Sequence, residues 1–165
     1  MIENKVEKSG LIQLDLNDFV LKGQRSIVDF KDYLFEGIIL KEKDFREKLE
    51  QTNWSAYQNH FVGITCSVDA IIPLWAYMVL VSKLNPYAKL IVRGNKTHLE
   101  GAILRTALEQ MDANEYLGKK VIVKGCGGEI PESAYMLITT KLQPVVQSLM
   151  FGEACSTVPV FKSKN

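Results

Sequence analysis

Two passages of this chain repeat the same order of hydrophobic and polar positions. Each contains a short apolar run, FVGITC from residue 61 and VIVKGC from residue 121, bounded by glycine or polar residues. Such runs are typical of buried strands. An Ile-Pro pair and a longer apolar stretch follow each run, and proline is tolerated in the first turn of a helix. The pattern predicts that each passage folds as helix, strand, helix and strand.

The two passages also share many identical residues at matching positions. Residues 45–95 align with residues 104–153 when one residue is dropped after the apolar run. The identities include Leu-Glu-Gln at 49–51 and 108–110, and Ala-Tyr-Met at 76–78 and 134–136. Two copies are too few for a solenoid, which normally needs at least three. We therefore predict an internal duplication arranged around a pseudo-two-fold axis.

The alternation of strands and helices predicts an α/β fold. We expect three layers, a mainly parallel sheet with helices on both faces. GLIQLDL, near the N-terminus, alternates apolar and polar residues and predicts an extra edge strand. DFKDYLFEGIIL favours a short helix and a loop. The last residues predict a short extended segment. The chain is expected to form a single domain, comprising an N-terminal extension (1–42), a first repeat (43–95), a second repeat (96–153) and a tail (154–165).

The sequence also predicts where some helices begin and how far one is buried. Asp44 with Glu47, and Thr97 with Glu100, have the spacing of a capping box at the first helix of a repeat. The helix after Pro73 is apolar almost all round, which predicts burial in the core or across a dimer interface. Its apolar residues are Trp75, Tyr77, Met78, Leu80, Val81 and Leu84.

Composition excludes few classes of protein. The 165 residues are 47% hydrophobic and carry a net charge of +1, so no basic surface indicates a nucleic-acid partner. No apolar run is long enough to predict a membrane span, and the charged N-terminus lacks the apolar core of a signal peptide. We therefore expect a cytoplasmic protein whose three cysteines are reduced.

The cysteines fall where strands are predicted to end. Cys66 ends the first buried strand, Cys126 follows the third, and Cys155 follows the fourth by a few residues. Sites in parallel sheets form beyond the carboxyl ends of the strands. Thiolates suit zinc or iron, so we predict a metal site formed by Cys66, Cys126, Cys155 and Asp69. Other candidates for the fourth ligand are His98, Glu132 and Glu153, and the alternative is that the cysteines only pack as small apolar side chains.

A second chemical interpretation needs one thiolate only. The loops TCSVDA and GCGGEIP lead toward helix N-termini, which lower the pKa of a thiol. Cys66 or Cys126 would then act as a nucleophile or sulfur carrier. Asp69 and Glu132 are candidate acids or bases, although caps or first-turn carboxylates are the simpler interpretation. The glycines of KGCGGE match no phosphate-binding motif and favour a tight turn.

Several segments resemble a known family along nearly the whole chain. FKDYLFEGIILKEKDFREKLE, CSVDAIIPLWAYM, VKGCGGEIPESAY and MFGEACSTVPVFK are similar to the bacterial family catalogued as domain of unknown function 2480. The resemblance implies a small cytosolic protein without an assigned activity or agreed catalytic residues. Members are found beside genes for sulfur mobilisation and iron–sulfur cluster assembly, which implies partners among the iron–sulfur assembly proteins.

Three functions therefore stay open at this point. The first is an accessory factor that binds zinc, iron or a cluster through thiolates, in iron–sulfur assembly. The second is a thiol enzyme or sulfur carrier that uses Cys66 or Cys126. The third is a non-catalytic interaction domain, which the apolar helix after Pro73 would allow to form a homodimer.

Overall fold

The computed structural model of the chain describes residues 10–125 and 127–164. These residues form four α-helices, seven strands and four short 3₁₀ helices. The strands are β1 (Leu11–Leu14), β2 (Arg25–Asp29), β3 (Phe61–Thr65), β4 (Leu90–Arg93), β5 (Lys120–Val123), β6 (Ser148–Glu153) and β7 (Ser156–Lys162). The α-helices are α1 (Glu42–Gln51), α2 (Leu74–Leu84), α3 (Lys96–Gln110) and α4 (Glu132–Leu142). The 3₁₀ helices are Leu16–Phe19, Phe30–Tyr33, Trp54–Tyr57 and Ala113–Tyr116.

The chain divides into two compact units. The central unit spans residues 22–103 and contains the sheet β2-β3-β4, in which both pairs are parallel. Its main core packs α1 and α2 on that sheet, with Phe30, Phe45 and Leu80 fully buried. A smaller cluster joins Phe61 of β3 to the start of α3. Apolar burial on both faces explains why β3 reads as a continuous apolar run.

The terminal unit combines residues 10–21 with residues 104–164. Its sheet has the order β1-β5-β6-β7; the first three strands are parallel, and β7 returns antiparallel to β6 as a hairpin. The core packs α4 and the last turns of α3 on this sheet, with Leu108, Val121 and Ile138 buried. Parallel strands need long crossover connections, and α4 supplies the one from β5 to β6.

Both units use the same order of elements. A strand is followed by a 3₁₀ helix in each, at Leu16–Phe19 and Phe30–Tyr33, and then by helix, 3₁₀ helix, strand, helix and strand. Asp15 and Asp29 cap these two 3₁₀ helices in the same way, each accepting a backbone N–H from two residues on. This common order supports the internal duplication, which stays a prediction.

The helix starts differ in part from those predicted. Pro73 and Pro131 are the N-cap residues of α2 and α4, as expected for residues that cannot continue a helix backwards. The prediction of two capping boxes was wrong. Helix α1 begins at Glu42, and Asp44 lies in its first turn, where it pairs with Lys48. Helix α3 begins at Lys96, so Thr97 lies inside it.

Other predictions are confirmed or extended at the level of the fold. The mixed α/β class with mainly parallel sheets is confirmed, and GLIQLDL supplies the edge strand β1. The strands, however, form two sheets instead of one, and β2 was missed. Ile27 is exposed and Arg25 is ion-paired to Glu100. Strand β2 therefore lacks the clear alternation of apolar and polar residues that predicts a strand. Within the described ranges, no helix is long and apolar enough to cross a membrane.

Candidate functional site

The central unit carries an open apolar groove between α2 and the edge strand β4. Its volume is about 490 Å³. Tyr77 and Val81 line it from the helix, Ile91 and Val92 from the strand, and Arg93 lies at the end of β4. The groove therefore combines an apolar floor with one cation at the carboxyl end of a parallel strand, where ligands of α/β proteins bind.

The terminal unit has a cavity at the matching place between α4 and β6. Its volume is about 590 Å³. Each residue that lines the groove has a counterpart, by element and register, among those that line this cavity. Tyr77 corresponds to Tyr135, and Ile91 to Leu149. The difference is that β7 borders the cavity, through Val160.

Two positions differ sharply in chemistry between the groove and the cavity. Leu74 is the first residue of α2, and the first residue of α4 is Glu132. Arg93 at the end of β4 corresponds to Phe151 of β6, whose ring packs edge-on against Tyr135 with centroids 5.8 Å apart. The central unit thus has an apolar side chain where the terminal unit has a carboxylate, and a cation where the terminal unit has an aromatic ring.

Apolar side chains next to the groove are exposed to solvent. Ile71 is 92% exposed, Leu74 83% and Met78 74%. Leu74 and Met78 are four residues apart on one side of the start of α2, and Ile71 lies in the loop just before the helix. Within the chain, Ala76, Leu80 and Leu84 form the buried stripe of α2, so burial of this side in the core was wrong, and burial across a dimer interface stays a prediction. Exposed apolar side chains that cluster in this way mark interaction surfaces.

The glycine-rich loop after β5 is held by side chains of the terminal unit. Asn17 donates its side-chain N–H to Asp15 Oδ1 and to the Gly127 carbonyl oxygen, each at 2.9 Å. Gly128 has φ +76°, and a Cβ built on it would overlap Asn17 Oδ1. The loop lines the cavity. The glycines are therefore required by local backbone geometry, as the sequence predicts for a tight turn.

Hydrogen bonds lower the pKa of the two capping aspartates. The backbone and side-chain N–H groups of Asn17 hold the pKa of Asp15 below its usual value. For Asp29, partial burial acts to raise the pKa, but hydrogen bonds from Ser67 and Lys31 outweigh it and lower the pKa. Ionised Asp29 thus ties the loop after β3 to the end of β2, and ionised Asp15 orients Asn17, which holds the glycine-rich loop.

The predicted thiolate ligands fall in different parts of the fold. Cys66 follows β3 of the three-stranded sheet, whereas the exposed Cys155 lies in the β6–β7 turn of the four-stranded sheet. The expectation of one common sheet edge was therefore wrong for these two. Asp69 is exposed in the loop after Cys66, and Cys126 lies outside the described residues. Among residues 10–125 and 127–164, no three His, Cys, Asp or Glu side chains form a group that would hold a metal ion.

The surroundings of Cys66 and the histidines show other uses for these side chains. The Cys66 thiol donates to the Val68 carbonyl oxygen at 3.3 Å, and α2 begins only at Leu74, well beyond it. His98 Nδ1 lies 2.7 Å from Asn95 Oδ1 at the start of α3, and His60 Nδ1 lies 2.8 Å from Ser26 Oγ. These contacts satisfy each group locally.

The sequence contains a signal for the groove that its hydrophobic pattern alone does not reveal. Aligning the repeats puts Ile71 and Leu74 against Glu129 and Glu132. A position that is apolar in one copy and glutamate in the other is expected to face solvent.

Comparisons with known proteins place the whole chain in one family. A family model described as protein of unknown function (DUF2480) matches residues 1–163. No curated protein and no solved structure matches the chain. Since the match spans nearly all 165 residues, the chain belongs to the DUF2480 family of proteins of unknown function.

Proposed function

We propose that this protein is a cytoplasmic interaction module that binds a partner protein in the groove between α2 and β4. The observation that carries the proposal is the exposure of Ile71 and Leu74, whose counterparts in the terminal unit are Glu129 and Glu132. The terminal unit has the same order of elements with polar residues at these positions. Apolar side chains are therefore not required there by the fold, and a partner that covers them explains their presence.

The apolar surface is large enough to contribute to binding. Fully burying a leucine or isoleucine side chain contributes roughly 1.5–3 kcal/mol. Covering Ile71 and Leu74 therefore stabilises a complex by about 3–6 kcal/mol before the entropic cost of association. This range suits a reversible complex, with the groove floor of Tyr77 and Val81 adding further apolar contact.

A peptide library tests the proposal even though the partner is unidentified. Random ten-residue peptides displayed on phage are selected on the wild-type protein and counter-selected on Leu74→Gln. The matched control is Ile38→Gln, which removes an apolar side chain that is 69% exposed in a turn of the same unit. We expect peptides that bind wild type and Ile38→Gln equally and bind Leu74→Gln at least about tenfold more weakly.

Two outcomes contradict the proposal. One is a selection that yields no peptide dependent on Leu74. The other is a set of peptides that lose affinity equally for both variants, because that result reports general surface hydrophobicity and not this groove. Circular dichroism of each variant verifies that the fold is retained.

Metal or cluster binding in iron–sulfur assembly stays a separate prediction from Cys66, Cys126 and Cys155. Elemental analysis of protein purified without a histidine tag, under reducing and oxygen-free conditions, tests it. The prediction expects near-stoichiometric zinc or iron that is lost in both Cys66→Ser and Cys126→Ser. Protein that stays metal-free after reconstitution contradicts it. The alternative of a thiol enzyme or sulfur carrier expects instead one cysteine that is alkylated much faster than the other two at neutral pH.

A further inference from the structure

We propose that the partner segment docks as an extra antiparallel strand on β4, with an acidic side chain opposite Arg93 and an apolar side chain seated in the groove. This inference rests on the proposed function and specifies the chemistry of its partner. It derives from the terminal unit, in which the matching strand β6 already carries such an added strand, β7.

The β6–β7 pair supplies the register. Leu149 of β6 lies opposite Phe161, Met150 opposite Pro159, and Phe151 opposite Val158. A bulge between the first two pairs leaves Val160 at the cavity. When the same register is applied to the central unit, a segment added to β4 places one apolar side chain over Tyr77 and Ile91. The position equivalent to Val158 then faces Arg93.

Strand β4 lies at the edge of its sheet. In the described part of the chain, the three-stranded sheet ends at β4, and no strand pairs with its outer side. An edge strand presents unpaired backbone N–H and C=O groups, and an extended peptide that adds to it satisfies them. The groove beside the edge gives the side-chain pocket that such recognition uses for specificity.

Arg93 selects the charge of the partner. It is exposed, and none of the ion pairs between described residues involves it. A second copy of this chain is a poor occupant in the pairing centred on Ile91, because two antiparallel β4 strands in that register set Lys89 of one opposite Arg93 of the other. Like charges directly opposite each other destabilise a strand pair. An acidic segment is therefore the favoured occupant.

Synthetic peptides with the sequence of β7 test this register. Two capped peptides span residues 156–162, with Glu in one and Lys in the other in place of Val158. Each is titrated by NMR into the wild-type protein, Arg93→Glu and Leu74→Gln at low salt. We expect the Glu peptide to bind wild type roughly five- to tenfold more tightly than the Lys peptide, and Arg93→Glu to reverse this preference. High salt shrinks the preference, because screening weakens exposed charge pairs.

The outcomes separate this inference from the proposed function. Peptides that lose affinity on Leu74→Gln but show no charge preference overturn the strand register and leave the docking groove standing. Library peptides that bind the groove while neither β7 peptide binds it also overturn the register. Self-association of the wild-type protein that shields β4 identifies a second copy as the occupant and overturns the acidic segment. If no peptide of either kind depends on Leu74, both proposals fail.

Discussion

Replacing Gly128 by alanine tests whether the loop over the cavity has the geometry described. Gly128 has φ +76°, a conformation that costs an alanine about 1 kcal/mol. The new Cβ also overlaps Asn17 Oδ1, so the Asn17 side chain must turn away from the Gly127 carbonyl oxygen. Losing that hydrogen bond costs about 1 kcal/mol more. The free energy of unfolding should therefore fall by about 2 kcal/mol.

Gly118→Ala is the matched control. Gly118 has nearly the same φ, +69°, but no atom lies within 4 Å of the position of its Cβ. The free energy of unfolding of Gly118→Ala should fall only by the cost of the positive φ, about 1 kcal/mol. In an Asn17→Ala background the overlap is gone, and Gly128→Ala should then cost no more than Gly118→Ala.

Urea unfolding followed by circular dichroism measures these differences. Tryptophan fluorescence is unsuitable, since Trp54 and Trp75 both lie in the central unit, whereas the substitutions are in the terminal unit. Equal losses for Gly128→Ala and Gly118→Ala would refute the reasoning. So would a cost of Gly128→Ala that Asn17→Ala leaves unchanged.

Two further predictions concern groups that link loops and helices. The lowered pKa values of Asp15 and Asp29 mean that their stabilisation is complete above the unfolded value of 3.8 and is lost as pH falls through the folded values. Urea titrations between about pH 2 and 6 should show that the free energy of unfolding falls less steeply with falling pH in Asp15→Asn and Asp29→Asn than in the wild type. The same steepness in the variants and the wild type contradicts this. Lys141 donates to three backbone carbonyl oxygens at the end of α3, so Lys141→Met should lower the unfolding free energy by about 1–3 kcal/mol. The equivalent Lys83→Met breaks only an exposed ion pair and should cost under about 1 kcal/mol; equal costs refute this.

Local signals in the sequence were enough to predict most elements of both units. The apolar runs around Val62 and Val121 became β3 and β5, because burial on both faces leaves no polar position in such strands. Pro73 and Pro131 fixed the starts of α2 and α4 through the missing backbone N–H. These features depend on a few neighbouring residues, and that is why one sequence suffices to find them.

The division into two sheets depended on contacts that no local pattern encodes. Strand β1 pairs with β5 across more than a hundred residues, and β2 with β3 across the whole of α1. Both first strands precede the aligned repeats, so the alignment did not assign them to their units. Consequently Cys66 and Cys155 were expected at one sheet edge although their strands belong to different sheets.

The groove was missed for a different physical reason. An apolar helix predicts burial, but the sequence alone does not say whether the chain's own core or a partner covers each side. In α2 the core covers Ala76, Leu80 and Leu84, and Leu74 and Met78 remain exposed. Comparison with α4, whose first residue is the polar Glu132, identifies Leu74 as a position that the core does not cover.

Hydrogen exchange measured with and without the Glu-containing β7 peptide tests the central claim most directly. The account predicts that the peptide slows amide exchange in residues 90–93 of β4, where the added strand pairs, and leaves β2, the other edge of the same sheet, unchanged. Bound peptide with unaltered exchange in β4, or with protection confined to β2 or to the terminal unit, would contradict it.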